Sequence, residues 1–221
     1  MVSLAAFLSG TGCGGDDGGP SPAAPRPEAR TPVAPGQLTP AQYAALEDAY
    51  EAAVALDELE EADAPPSFSR ADAVARPIVG ACKELDARHP LLHALRDACV
   101  DRVDVFMARV GVARCRAIDA CGPPIDDERA AAHDLIRSSR AADRAIAATA
   151  IPAGCKRALR TPHPVYVFYR RLDARLQRLA HALAVGFQTD LQEAVIALAR
   201  LHRGGLPSRR DALKRFRAGC R

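Results

Sequence analysis

The sequence predicts an all-α domain, and its apolar pattern and composition both support that prediction. Apolar residues recur every three or four positions over long stretches, and no useful length of chain alternates apolar and polar residues as a strand does. Hydrophobic residues make up 48% of the chain, whereas aromatic residues make up 5% and Trp is absent. Small aliphatic side chains must then fill the core, as in closely packed helices. We therefore expect a disulfide-stapled, up-down bundle of about five or six helices.

The first two helices have recognisable start signals. Thr39 and Gln42 predict a capping box at the start of the first helix, and the prolines of 65–66 end that helix. A second capping box at Ser69 and Asp72 predicts a helix that reaches roughly residue 87.

Prolines and glycines divide the rest of the domain. We expect a third helix from Pro90 and a break at 122–124. The fourth helix then begins near Asp126 and runs to about residue 150. The negative charges of Asp126, Asp127 and Glu128 are favourable at its N-terminus, which is the positive end of the helix dipole. One long helix follows Pro164 and runs to the glycines of 204–205, with a bend at Gly186, and Ser208 caps a short last helix.

Charge is distributed unevenly along the chain. Residues 151–221 carry 15 basic and only 4 acidic side chains, whereas the first helix is strongly acidic and has no basic residue. Two interpretations remain open: a basic surface that faces a membrane or polyanion, and an acidic first helix that packs beside basic last ones. The overall formal charge of +3 is too small to indicate a polyanion partner by itself.

The N-terminal segment is short, apolar and followed by a cysteine. Residues 2–9 are apolar or small, and the sequence GTGC ends at Cys13. This segment resembles a bacterial lipoprotein signal peptide, although Gly10 stands where Leu is usual. The resemblance implies that residues 1–12 are removed and that Cys13 is acylated, which would attach the protein to the outer face of a cell membrane. The alternative is a disordered tail with an incidental cysteine.

The residues after Cys13 have the composition of a linker. The stretch 14–37 is rich in Gly, Pro and Ala and buries too little apolar surface to fold. We therefore expect residues 13–38 to form the lipid-attachment site and a tether, and residues 39–221 to form the helical domain.

Without Cys13, six cysteines remain, and an even number in an exported domain predicts three disulfides. Cys99 and Cys115 lie on one predicted helix about 24 Å apart, too far for a bond that needs Cα atoms within about 7 Å. We expect the pairs Cys115–Cys121, Cys82–Cys99 and Cys155–Cys220. The alternative is six free thiols in a cytosolic protein.

No motif for a catalytic nucleophile, phosphate-binding loop, cofactor or metal site occurs. His89 and His93 are four residues apart, but the pattern favours two exposed side chains over metal ligands. We expect His181 to be exposed and His163 to cap the long helix.

The segment 166–178, near the start of the long helix, combines aromatic residues with arginines. Arg170, Arg171, Arg175 and Arg178 recur opposite its leucines, which is typical of a solvated helix face or a face for an anionic partner. For an exported protein the partner would be an anionic lipid or an envelope polymer, and no nucleic acid is expected. We predict a non-catalytic binding or scaffold domain. The alternative is an envelope enzyme whose histidines and carboxylates meet only in the folded protein.

Overall fold

The computed structural model describes residues 37–60, 65–114, 121–186, 188–203 and 208–220, which belong to one compact unit. The predicted signal peptide, Cys13 and residues 14–36 of the predicted tether lie outside these ranges. Every regular element in the described ranges is an α-helix, which confirms the all-α prediction. The helices are α1 (Pro40–Glu60), α2 (Phe68–Lys83), α3 (Pro90–Ala113), α4 (Gly122–Ala148), α5 (Ala153–Leu159), α6 (His163–Val185), α7 (Gln188–Arg203) and α8 (Arg209–Cys220).

The start of α1 forms the predicted capping box. The Thr39 N–H donates to Gln42 Oε1 at 2.9 Å, and the Gln42 N–H donates to Thr39 Oγ1 at 3.2 Å. These two bonds satisfy donors that have no partner within the first turn. Leu38, just before the cap, is already buried in the core.

The limits of α2 differ from the prediction. Its N-cap is Ser67, not Ser69, because Ser67 has the extended backbone of a cap and its Oγ accepts the Arg70 N–H at 3.3 Å. The helix ends at Lys83, short of residue 87. Beyond it, Asp86 Oδ1 accepts the Arg88 N–H at 3.0 Å, and this local turn replaces a further turn of helix.

The start of α4 also lies earlier than predicted. The segment Gly122–Pro124 was expected to break the chain, but it forms the first turn of the helix. Proline is tolerated there because the first N–H groups of a helix have no partner within it.

The region after α4 contains more helices than the sequence predicts. The short α5 was not predicted, and the expected long helix is two helices. Gly186 adopts φ +76°, and its N–H donates to the Ala182 carbonyl at 3.0 Å, which ends α6. A left-handed glycine stops a helix instead of bending it. The structure therefore exceeds the predicted five or six helices.

The core of the described residues consists of three apolar clusters. One joins α4, α6 and α7, one joins the starts of α1 and α3 with the end of α4 and with α5 and α8, and one joins the end of α1 with α2 and α3. Representative members are Leu135, Leu172 and Leu198 in the first, Leu46, Ile146 and Phe216 in the second, and Leu56, Ile78 and Phe106 in the third.

The acidic first helix packs beside the basic last helix. Arg217 Nε donates to Glu47 Oε1 at 2.7 Å, and its second guanidinium nitrogen donates to Glu51 at 3.2 Å. Arg209, at the other end of α8, bonds to Asp57 near the end of α1. The two helices are therefore antiparallel, and the complementary-charge interpretation of the uneven sequence is confirmed.

Two of the predicted disulfides are present. Cys82–Cys99 joins α2 to α3 and Cys155–Cys220 joins α5 to α8, with Cα atoms 5.9 and 4.3 Å apart. Cys121 is also disulfide-bonded, but its predicted partner Cys115 lies outside the described residues, so that pairing stays a prediction. The disulfides indicate a non-reducing environment, because such bonds rarely persist in the cytosol.

Candidate functional site

A buried carboxylate of α1 caps α8. Asp57 Oδ1 accepts the Arg209 N–H and Oδ2 accepts the Arg210 N–H, each at 3.1 Å. The Ser208 hydroxyl donates to Asp57 Oδ2 at 2.7 Å and is itself an acceptor for the Arg210 N–H. These bonds satisfy N–H groups that a helix leaves unpaired at its start, and the negative charge suits the helix dipole there.

The side chain of Arg209 extends this arrangement to α3. Its Nη1 donates to Asp57 Oδ1 at 2.8 Å and to Glu60 Oε2 at 2.7 Å. Glu60 Oε1 in turn accepts from Arg109 Nη1 at 3.2 Å. Arg209 is only 4% exposed, so its charge depends on these carboxylates for compensation.

Arg109 leads on to a deeper pair. Glu128 of α4 is completely buried, and its Oε1 lies 3.6 Å from Arg109 Nε and 3.4 Å from His202 Nε2 of α7. Neither Glu128 oxygen has a hydrogen-bond partner within the described part of the chain. We call the six residues Asp57, Glu60, Arg109, Glu128, His202 and Arg209 the charged network.

Opposing effects set the pKa values of the two α1 carboxyls. Burial raises the pKa of Asp57, but hydrogen bonds from Ser208, Arg209 and the α8 backbone outweigh burial and lower it below its usual 3.8. Burial likewise raises the pKa of Glu60, and the charges of Arg209 and Arg109 lower it below its usual 4.5. Both groups are therefore held as carboxylates.

The contacts of the charged network run mainly between helices. Glu128 and His202 line none of three cavities in the described ranges, and the polar contacts of the network run between α1, α3, α4, α7 and α8. Its evident role is to fix these helices against one another.

An open groove between α6 and α7 has a different character. His163, Arg171, Arg175 and Arg200 line it, and no carboxylate does. Its floor is apolar, and its volume is about 840 Å³. We call it the basic groove; the apolar lining residues are Pro164, Val167, Phe168, Ala197 and Leu201.

The arginines of the basic groove form no direct ion pairs within the described ranges. Arg171 and Arg200 are exposed, Arg175 is half-buried, and none of the three forms an ion pair or hydrogen bond within the described ranges. Because Arg175 is partly buried in a concave surface, the positive potential of its guanidinium is concentrated there. The groove can therefore attract an anion without first breaking an internal salt bridge.

The structure separates the four arginines that the sequence grouped. Arg171 and Arg175 line the basic groove, whereas Arg178 does not; an adjoining cleft with Asp190 and Glu193 is lined by Arg175, Arg178 and Arg200. Arg170 is exposed and lines neither. Of the later basic residues, Arg200 joins the groove, but Arg209 and Arg217 are engaged with α1 and are not available to a partner.

His89, His93 and His133 do not come together in one site. His93 pairs with Asp97 at 3.2 Å and His133 pairs with Asp173 at 3.3 Å, both on exposed surface. His89 was expected to be exposed, but it is half-buried, and both ring nitrogens are covered and lack hydrogen-bond partners in the described ranges. The turn before α3 places the His89 side chain partly inside the protein.

Two further histidine predictions have different outcomes. His181 is exposed, as predicted. His163 does not cap the helix, because it is the first residue of α6 and the side chain of the capping residue, Pro162, makes no hydrogen bond.

Two other kinds of site are absent from the described residues. No group of three or more His, Cys, Asp or Glu side chains there could hold a metal ion. No helix in those ranges is both long enough and apolar enough for a bilayer crossing.

Comparison with known proteins does not assign the chain to a group. No known protein family, curated protein or solved structure matches it. Any functional statement about it must therefore come from its own residues.

Sequence reasoning missed the charged network, although a signal for it was present. Glu128 lies three residues after Ile125 and four before Ala132, so it falls on the buried stripe of α4. Asp57 follows Tyr50 by seven residues and lies on the same face of α1. A charged residue in register with an apolar stripe is the sign of a buried ion pair.

Proposed function

We propose that this chain is an exported lipoprotein, acylated at Cys13, whose helical domain binds an anionic membrane surface through the basic groove. The domain acts as a binding or scaffold module and not as an enzyme. The single observation that carries the binding proposal is the set of three arginines, without ion pairs in the described ranges, around a groove that no carboxylate lines. An up-down order of the helices is part of the same proposal.

A lipid surface is favoured over a polymer because apolar side chains are exposed next to the arginines. Val195 and Ile196 of α7 are each 49% exposed. Ile196 is four residues before Arg200, which places the two on one face of the helix. Membrane-surface helices combine exposed apolar residues with arginines in this way, and each basic residue near an anionic leaflet contributes about 1 kcal/mol.

Lipid attachment is supported by the resemblance of the segment ending at Cys13 and by the disulfides of the domain. The test is incorporation of labelled palmitate in cells that express the parent or Cys13→Ala. We expect label in the parent only, and membrane fractionation that follows the label. Equal labelling of both proteins, or none in either, would contradict acylation at Cys13.

Binding by the basic groove is tested separately from acylation. The full-length chain with Cys13→Ala is sedimented with vesicles of phosphatidylcholine alone or mixed with phosphatidylglycerol. We expect binding only to the anionic vesicles, with loss above about 0.5 M salt as charges are screened. Arg171→Gln/Arg175→Gln should reduce binding about tenfold or more, since two contributions of about 1 kcal/mol are lost.

A matched variant distinguishes the groove from general positive charge. Arg144→Gln/Arg157→Gln removes two exposed arginines of α4 and α5 that lie outside the groove. It should leave vesicle binding near the parent value. Equal losses in both double variants would refute the groove, and binding of a soluble anionic polymer in place of vesicles would refute the lipid surface.

The enzyme alternative has one observation behind it, the buried pair of Glu128 and His202 at 3.4 Å. Catalysis would need a path from solvent to this pair. The distinguishing measurement is turnover against panels of ester, phosphoester and glycoside substrates, with Glu128→Gln as the control.

A further inference from the structure

A second cavity lies inside the helical domain, away from the basic groove. Residues of α1, α2, α3, α4, α5 and α8 surround it, and its volume is about 110 Å³. Its walls are mainly aliphatic, including Leu46, Leu85, Leu95 and Ala142. A cavity of about 150 Å³ lined by such side chains stays dry and accepts benzene, so this one has room for a short hydrocarbon chain.

The polar part of this lining has one sign of charge. Arg102, Arg160, Arg209 and Arg215 line the cavity, and no Asp or Glu does. Arg209 is neutralised by Asp57 and Glu60. The other three have neither an ion pair nor a hydrogen bond in the part of the chain that the structure describes.

Tyr50, Arg102 and Arg215 all line this cavity. Burial raises the pKa of the Tyr50 hydroxyl, while the charges of Arg102 and Arg215 act on it in the opposite direction. Tyr50 stacks on Phe216 with ring centroids 5.3 Å apart, which fixes its hydroxyl near these charges. That hydroxyl has no hydrogen-bond partner within the described residues, so it is available to a ligand.

The nearest acidic group that acts on Tyr50 is already engaged. Asp143 Oδ2 accepts the Tyr166 hydroxyl at 2.7 Å, and Oδ1 accepts the Thr161 N–H at 3.0 Å. Burial and the bond to Asp143 raise the pKa of Tyr166 to about 12, so this hydroxyl keeps its proton. Asp143 is not among the residues that line the cavity.

We propose that this cavity binds a short-chain aliphatic monocarboxylate, with the chain among the leucines and the carboxylate between Arg102 and Arg215. Each part of the ligand then meets its complement. The hydrocarbon replaces an apolar void, and guanidinium groups bind carboxylates with charge-assisted hydrogen bonds. The Tyr50 hydroxyl supplies one further donor. The site is separate from the basic groove and does not depend on the proposed membrane binding.

The test is isothermal titration of the oxidised full-length chain with butanoate, hexanoate and decanoate. We expect hexanoate to bind most tightly, because butanoate leaves part of the cavity empty and decanoate exceeds it. Hexanol has the same chain without the charge and should bind about tenfold more weakly or worse. Equal affinity for hexanol and hexanoate would overturn the assignment of the arginines.

Variants locate the site. Arg102→Gln and Arg215→Gln should each weaken hexanoate binding about tenfold or more. Ala142→Leu fills the cavity and should abolish binding, whereas Ala130→Leu adds the same volume on the exposed face of the same helix and should not. Arg171→Gln/Arg175→Gln, which alters only the basic groove, should also leave the affinity unchanged.

Each outcome decides the proposal. If circular dichroism shows that Ala142→Leu does not fold, hexanoate binding by Arg215→Gln provides the test, because Arg215 is exposed. Hexanoate binding that survives both arginine changes would place the ligand elsewhere. No binding of hexanoate by the folded parent at about 10 mM, far above a 1 mM Kd, would show that the cavity is only a void.

Discussion

The carboxylate of Glu128 faces the imidazole of His202 across α4 and α7, with Oε1 3.4 Å from Nε2. Arg109 approaches the same oxygen from α3 at 3.6 Å. A buried charge of this kind depends on its neighbours, because it has lost its hydration and has no hydrogen bond in the described ranges to replace it.

Removing Arg109 should therefore destabilise the domain strongly. Arg109→Met leaves Glu128 with only His202 nearby and removes one contact of Glu60, so we expect a loss of about 3 to 5 kcal/mol in the free energy of unfolding. Urea denaturation followed by circular dichroism measures this. Arg109→Met/Glu128→Met should recover part of the loss, because the uncompensated charge is also removed.

Arg129 provides the comparison for that experiment. It bonds to Asp173 at 3.0 Å, and the two side chains remain 30% and 27% exposed, so solvent screens the pair and its contribution is about 1 kcal/mol or less. Arg129→Met should cost no more than that. Similar losses for Arg109→Met and Arg129→Met would mean that the buried network adds nothing beyond a surface pair.

Stability should fall in acid because of the carboxylates that hold α8. The folded pKa of Asp57 lies below its unfolded value of 3.8, so its stabilisation is complete above that pH and is lost as pH falls through the folded pKa. Asp57→Asn should cost about 3 kcal/mol at pH 7. Its deficit relative to the parent should shrink as pH falls from 4 to 2, in urea midpoints measured at each pH.

The exposed Asp48 of the same helix serves as the control for pH. Asp48→Asn should follow the parent over the whole range. A constant deficit for Asp57→Asn between pH 7 and pH 2 would show that the charge of Asp57 does not matter and that only its shape does.

The two disulfides should contribute unequally. Cys155–Cys220 spans 65 residues and Cys82–Cys99 spans 17. Loop-closure entropy then gives about 4 kcal/mol for the first and about 3 kcal/mol for the second. Paired Cys→Ser variants, compared by urea denaturation, check this order; a larger loss for the Cys82/Cys99 pair would reverse it.

Glycine is required where α5 and α8 cross. A Cβ added at Gly219 would lie 2.6 Å from the Gly154 carbonyl oxygen, a backbone atom that cannot move aside without shifting α5. Gly219→Ala should therefore destabilise the domain by about 1 to 3 kcal/mol. Thermal unfolding of the oxidised protein measures the effect.

Gly80 of α2 is the matched position. An added Cβ there meets no heavy atom within 4 Å. Gly80→Ala should raise stability by about 0.5 to 1 kcal/mol, since alanine favours a helix interior over glycine. A gain at Gly219 would contradict the close approach of α5 and α8, and a loss at Gly80 would contradict the open space beside that residue.

Local signals in the sequence predicted local structure well. The Thr39–Gln42 capping box and the pairs Cys82–Cys99 and Cys155–Cys220 follow from spacing, periodicity and helix geometry. The end of α6 was harder. Gly186 could bend a helix or stop it, and only its left-handed backbone decides between the two.

Relationships between distant helices could not be predicted in the same way. Three consecutive acidic residues, Asp126, Asp127 and Glu128, have similar chemistry, yet the first two are exposed and the third is buried against α3 and α7. The basic groove likewise needs Arg171 and Arg175 of α6 to meet Arg200 of α7. Which helix packs on which is a property of the whole core, and spacing within one helix does not contain it.

The antiparallel contact of α1 and α8 brings both ends of the domain to one pole. Leu38 and Cys220 share a core cluster there, and Arg217 lies beside Glu47. The chain therefore enters α1 close to the point where it leaves α8. A reporter protein fused beyond Cys220 would crowd that pole, whereas one inserted after Glu60 would project from the opposite end of the α1–α8 pair.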